Sequence, residues 1–158
     1  IRGDVTMQGQ LSFGRHRDAS VTPDPITGAL RDAQWTGLSV LGAYKFTPRF
    51  EGIARLDFVN NKKNGGGLLG FTASDDRNGI GPGYVFDDVA GTWGIGDAEK
   101  GVNRSALSLG LSYLFDLNTT FKFEYRLDRA NLPVFLNVKD GSYKKNNSLL
   151  GTSVLVSF

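Results

Sequence analysis

The sequence holds no cysteine, one methionine and one histidine in 158 residues. Without cysteine there is no disulfide framework, no thiolate metal site and no cysteine nucleophile. Neither sign of charge dominates. Against 18 Lys and Arg stand 16 Asp and Glu, for a formal net charge of +2, a balance that excludes a strongly basic nucleic-acid binder. No apolar run approaches the roughly 18 residues of a membrane helix. β-Barrels remain open, because they span without such runs. The chain starts at Ile1 with no charged stretch and apolar core of a secretory leader. From this we expect either a leader already removed or a piece of a longer chain. Glycine and aromatics are plentiful: 21 Gly, 11 Phe, 5 Tyr and 2 Trp. With 40% hydrophobic and 22% charged residues, this is a folding chain with a β bias, of a length that suits one domain.

Period-two alternation is the strongest signal. In residues 120–128, Phe121, Phe123, Tyr125 and Leu127 alternate with Lys122, Glu124, Arg126 and Asp128. Five further segments read alike: residues 5–13, 37–46, 50–58, 104–115 and 150–158. In each, one parity is Leu, Val, Phe and Tyr and the other is small or polar. Side chains alternate across a strand, so each is a strand with one apolar face. The lengths match the roughly 9–11 residues that a tilted strand needs to cross a bilayer.

The connections alternate as well. Tight turns at about 47–49 and 116–119 contrast with long loops at about 14–36, 60–103 and 129–147, the layout of an outer-membrane barrel. Tyr44, Phe46, Phe50, Tyr113, Phe115, Phe121 and Phe158 share the apolar parity and lie near a tight turn or the last residue. An aromatic girdle at the periplasmic interface has that pattern.

The run Leu149-Leu150-Gly151-Thr152-Ser153-Val154-Leu155-Val156-Ser157-Phe158 resembles the C-terminal signal of Gram-negative outer-membrane β-barrel proteins. Leu150, Thr152, Val154, Val156 and Phe158 would be its alternating positions. The resemblance implies recognition by the barrel assembly machinery. Residues 60–67 and 75–83 (NNKKNGGG and DDRNGIGPG) look like part of a betaproteobacterial porin-like family of unknown function. In that family they lie in the C-terminal part of a chain several hundred residues long. The expected fold is all-β: an antiparallel up-and-down transmembrane β-barrel. Residues 1–158 supply about six strands of it, as the C-terminal part of a larger barrel. Six strands fall below the usual eight of a closed membrane barrel, and an open edge in lipid leaves backbone groups unpaired. The remaining strands would come from the missing N-terminal part of the chain, from further copies, or from strands hidden in the loops.

On the inward parity lie Lys45, Arg55, Arg104, Lys122 and Arg126 with Glu51, Asp57, Glu124 and Asp128. At the lipid midplane each charge would cost about 2–4 kcal/mol, so they belong to a lumen. Two uses fit them: the polar wall of a diffusion channel, or a salt-bridge ladder filling a narrow barrel. With both signs present there is no strongly anion-selective ring. The 60–103 loop carries Phe71, Tyr84, Phe86 and Trp93 among glycines. It either folds into the lumen as a constriction or packs outside on its own aromatics.

Other motifs are weak. Residues 79–83 lack the strand–helix context of a phosphate cradle, and residues 76–79 lack the later Glu of a calcium loop. His16, near Asp18 and Ser20, has no triad geometry in sequence. Lys139, Lys144 and Lys145 suit contact with anionic lipopolysaccharide at the outer surface, or plain solubility. The function expected is a porin for passive diffusion of small hydrophilic solutes in the outer membrane of a Gram-negative bacterium. It has no cofactor, no metal, no catalytic residues and no nucleic-acid partner. Its partners are the bilayer and lipopolysaccharide. The rivals are a structural or partner-binding barrel with no open pore and, behind it, an outer-membrane lipid hydrolase.

Overall fold

The structure is a computed structural model that describes residues 4–18, 23–24, 26–30, 32–63, 83–97 and 101–158, without the side chains of 62 and 63. Among these residues there is no helix. The strands are β1 (Val5–His16), β2 (Ala33–Thr47), β3 (Phe50–Lys63), β4 (Tyr84–Asp87), β5 (Thr92–Ile95), β6 (Arg104–Leu114), β7 (Thr119–Ala130), β8 (Phe135–Asn137), β9 (Ser142–Lys144) and β10 (Asn146–Val156).

Six of them form one antiparallel sheet in the order β1-β2-β3-β6-β7-β10. Each long strand thus lies beside its neighbour in the chain, an up-and-down meander. β4 pairs with β5, and β8 with β9, as separate two-stranded hairpins. Two of the three long connections therefore contain strands of their own, and neither hairpin joins the main sheet.

The six strands fall on the alternating segments and overrun them at the loop end. β2 begins at Ala33, β3 runs to Lys63 and β10 begins at Asn146. There the alternation fades, because Asn60, Asn61 and Asn146 carry no apolar signal. The backbone ladder continues regardless, since its hydrogen bonds do not depend on side-chain type. At the other end β6 stops at Leu114 and β10 at Val156, so Phe115 and Phe158 lie just outside their strands. Thr47 Oγ1 accepts from the Arg49 and Phe50 amides at 3.3 and 3.1 Å, and Asp116 Oδ1 accepts from the Asn118 amide at 2.8 Å. Side chains of this kind close tight turns by standing in for backbone acceptors.

The register puts the alternating apolar positions on one face, while Leu41, Ile53, Val59, Leu149 and Leu155 fall on the other. One row crosses the sheet as Met7, Gly42, Ala54, Leu109, Tyr125 and Leu150. The row beside it reads Gly9, Val40, Leu56, Leu107, Leu127 and Ser148. The irregularities in β2–β3 pairing fall at Gln34/Thr36 and Lys45/Thr47, at the two ends, so no face is exchanged across the middle.

Burial is inverted relative to a water-soluble sheet. The apolar face is open: Leu11 is 79% exposed, Phe13 86% and Leu150 75%. The buried side chains lie elsewhere. Ala106, Ser108 and Asp128 are buried on the opposite, polar face. Val102, Ala130, Val134 and Phe135 form a small core at the loop end, with Leu132 against it.

Candidate functional site

All nine charged residues of the inward parity share one face. Lys45 opposes Glu51, and Glu51 continues through Ser112 to Lys122. Arg55, Ser108 and Arg126 make a second row, with Leu41 and Leu149 flanking it. Asp57, Ala106 and Asp128 make a third, extended by Gln10, Ser39 and Asn147. Glu124 lies beside Gly110 and Gly151, and Arg104 beside Val59 and Ala130. β6, between the charged strands β3 and β7, offers Ala106, Ser108, Gly110 and Ser112 between Arg104 and Leu114. Small residues on the middle strand let long side chains from either side lie across it.

Five of the nine charges are ion-paired. Arg55 meets Asp57 at 2.8 Å and donates to Ser39 Oγ at 3.2 Å. Asp128 takes two guanidinium groups, Arg126 at 2.9 Å and Arg104 at 3.5 Å. Asp128 is 8% exposed. A carboxylate so buried is tolerable only with such partners. Arg55, Asp57, Lys122, Glu124 and Arg126 border a hollow of about 480 Å³ on this face.

On the other face the aromatics gather at the tight-turn end. Tyr44 and Phe46 meet edge to face with centroids 5.0 Å apart, Phe46 and Phe50 lie 5.7 Å apart, and Phe115 and Phe121 6.0 Å. The Phe46 ring lies over Gly52, where a Cβ would come within 2.8 Å of it. Tyr113 opposes both Phe50 and Phe121 in the ladder. Phe158 extends past β10 and is fully exposed, while Leu150, Thr152, Val154 and Val156 sit within β10 on the apolar face.

The loop end carries contacts that sequence patterning did not single out. The Asn61 amide donates to Asn103 Oδ1 and the Asn103 amide to Asn131 Oδ1, both at 2.9 Å. These side chains tie the upper ends of β3, β6 and β7 together. Tyr84 and Tyr143 stack at 3.8 Å with rings 7° from parallel, and Trp93 reaches Tyr143 at 5.6 Å. The Arg104 guanidinium lies 5.1 Å over the Phe135 ring. No local motif marks these pairs, because each joins residues far apart in the chain.

Three exposed carboxylates outside the long strands are held below their ordinary pKa. For Asp32 the chief cause is the Arg15 guanidinium, whose Nε donates at 2.7 Å. For Asp116 it is the Asn118 amide. For Asp140 it is the Ser142 hydroxyl, at 2.6 Å.

His16 ends β1 and meets Trp35 edge to face at 5.3 Å. Asp18 sits in a turn at φ 48, and its amide faces Asp32. Ser20, Phe71 and most of the glycine-rich stretches at 60–67 and 75–83 lie outside the described residues. Lys139 and Lys144 belong to the β8–β9 hairpin, with Lys145 just after it. No cluster of His, Asp and Glu suited to a metal ion occurs among the described residues.

A meander of long antiparallel strands, open and apolar on one face and ion-paired on the other, defines an all-β sheet protein. The chain belongs to the family described as "Protein of unknown function (DUF3138)", matched over residues 2–158. No curated protein and no solved structure matches it.

Proposed function

We propose that this sheet is part of the wall of an outer-membrane β-barrel of a Gram-negative bacterium, and that the barrel is a porin-like channel for passive diffusion of small hydrophilic solutes. The observation that carries the reading is the inversion of burial. Large apolar side chains lie open on one face, while Asp128 is buried on the other between two partly exposed arginines. In water the apolar face would drive aggregation. Against lipid chains, each fully covered Leu, Val or Phe recovers roughly 1.5–3 kcal/mol. Strands of 11–15 residues are long enough to cross a bilayer at a tilt.

In this reading Lys45, Glu51, Arg55, Asp57, Arg104, Lys122, Glu124, Arg126 and Asp128 line the lumen. The alternation of sign along it slows neither cations nor anions strongly. The aromatic cluster of Tyr44, Phe46, Phe50, Tyr113, Phe115 and Phe121, with Phe158, marks the periplasmic interface. The pattern of β10 serves the barrel assembly machinery, and the loop lysines face lipopolysaccharide. No cofactor, metal or covalent step enters. The outer edges of β1 and β10 have no partner among the described residues. Since an open edge is costly in lipid, further strands, from the same polypeptide or another copy, complete the barrel.

The test is single-channel recording on the purified, folded, full-length protein in planar bilayers. Stepwise ohmic currents with weak ion selectivity are expected. A silent membrane, despite correct insertion, would turn the assignment to a closed barrel that binds partners through its ordered loops.

A further inference from the structure

The loop end is built as one unit, and its position bears on the mouth of the proposed channel. β4 and β5 pair from Tyr84–Ile95 to Asp87–Thr92, which puts Tyr84, Phe86, Trp93 and Ile95 on one side of that hairpin. This side packs on the β8–β9 hairpin through the Tyr84–Tyr143 stack at 3.8 Å and the Trp93–Tyr143 contact at 5.6 Å. The Tyr84 amide donates to Pro133 O at 2.8 Å. At Gly83 a Cβ would lie 2.6 Å from Leu132 Cβ, so the two segments touch with no room for a side chain. Tyr143 is the shared element: it meets rings of both β4 and β5 from β9.

The unit sits on the charged side of the sheet. Its base is the core of Val102, Ala130, Val134 and Phe135. Ala130 lies two residues past Asp128 on β7 and opposes Arg104, so it shares their face. Arg104 reaches both ways, to Asp128 at 3.5 Å and to the Phe135 ring at 5.1 Å. A loop packed outside the barrel would instead cover the apolar face, on which Leu127 of β7 and Phe58 of β3 stay open at this end.

We propose that the β4–β5 and β8–β9 hairpins form a single inward-folded constriction, clasped by Tyr143 and seated on Arg104 through Phe135, which sets the size limit of solutes entering from the loop side. The proposal rests on the charged face being a lumen wall. Tyr143, Trp93 and Phe135 are then positioning residues: they hold the constriction and need not touch the solute.

The experiment uses the full-length protein in lipid vesicles, with other reactive thiols removed and Ser112→Cys as a reporter. Ser112 lies on the charged face between Glu51 and Lys122, far down the sheet from the hairpins. A small charged thiol reagent and a polymer-linked one are added from the loop side. The small reagent is expected to label Cys at 112 in every variant, and the polymer-linked one only slowly. Tyr143→Ala should quicken the polymer-linked reaction about fivefold, the population shift expected when a stacked ring pair is lost. Tyr143→Phe, which keeps the stack, should not. If Tyr143→Ala fails to fold, judged by heat-modifiable migration, Trp93→Ala carries the same expectation. Fast polymer labelling of the parent, or no change in the alanine variants, overturns the constriction and leaves the channel standing. Failure of the small reagent to reach position 112 overturns the lumen itself, and the constriction with it.

Discussion

Asp128 is the side chain on which the charged face turns. It is nearly closed to water and shared between Arg126 and Arg104. Breaking a fully buried pair costs roughly 3–5 kcal/mol. Both arginines remain partly exposed, at 38% and 25%, so Asp128→Asn is expected to cost less, about 1–3 kcal/mol. Urea titration of the protein folded into vesicles measures it, and a midpoint unchanged from the parent would contradict the role given to Asp128. The exposed Asp140 allows a pH prediction. The Ser142 hydroxyl and amide hold its pKa below the ordinary value. A lowered folded pKa contributes stability above the unfolded value of about 4, and that contribution fades as pH falls through the folded value. Protection of the Ser142 amide, normalised to the unfolded exchange rate, should therefore fall as pH is lowered below about 4, and Asp140→Asn should remove that dependence. The turn at 140–142 lies inside the long loop read at about 129–147, where nothing in the sequence singled it out. The Asp128 triad was only half visible, because parity puts the three residues on one face without saying that β6 and β7 bring Arg104 within reach of Asp128.

A strand of this sheet has two faces with opposite tolerances, so equal substitutions on them should have unequal effects. Leu109 and Ser112 belong to the same strand and lie on opposite faces. On the proposed lipid-facing assignment, Leu109→Lys should destabilise the protein folded in vesicles by about 2–4 kcal/mol, as a cation does near the lipid midplane. Ser112→Lys should cost well under that, since Glu51 directly opposite on β3 offsets Lys122 on β7 and the side chain stays on the polar face. Equal costs, measured by reversible unfolding in vesicles, would refute the assignment of faces. The elements themselves were legible: period two found all six long strands, and the turn residues found both tight turns. The hairpins β4–β5 and β8–β9 escaped notice. Strands of three and four residues are too short for alternation to rise above chance, and what steadies them is contact with each other.

At the scale of the molecule, the open question of the sheet is its edges. Half of the amides of β1 and of β10 point away from their single neighbours. If the proposed barrel closes, these amides of the full-length protein should exchange slowly in membranes, because closure pairs them. Hydrogen exchange of β1 at Met7, Gly9 and Leu11 and of their neighbours decides it. Rapid exchange of the outward-pointing set would mean that the sheet stays open, which no lipid-spanning wall can do.

The sequence by itself determined the all-β class, the positions of the six long strands, their two faces and the face on which each of their charges lies. These follow from a local rule, the alternation of side chains along an extended backbone, and a local rule can be read residue by residue. Only the tertiary structure decided which charges pair, that Asn61, Asn103 and Asn131 lace three strand ends, and that two loop hairpins meet at Tyr143 over the charged face. Those contacts join residues 28 and 42 positions apart, or rings on separate hairpins. Their geometry is set by register and chain closure, which no single segment contains.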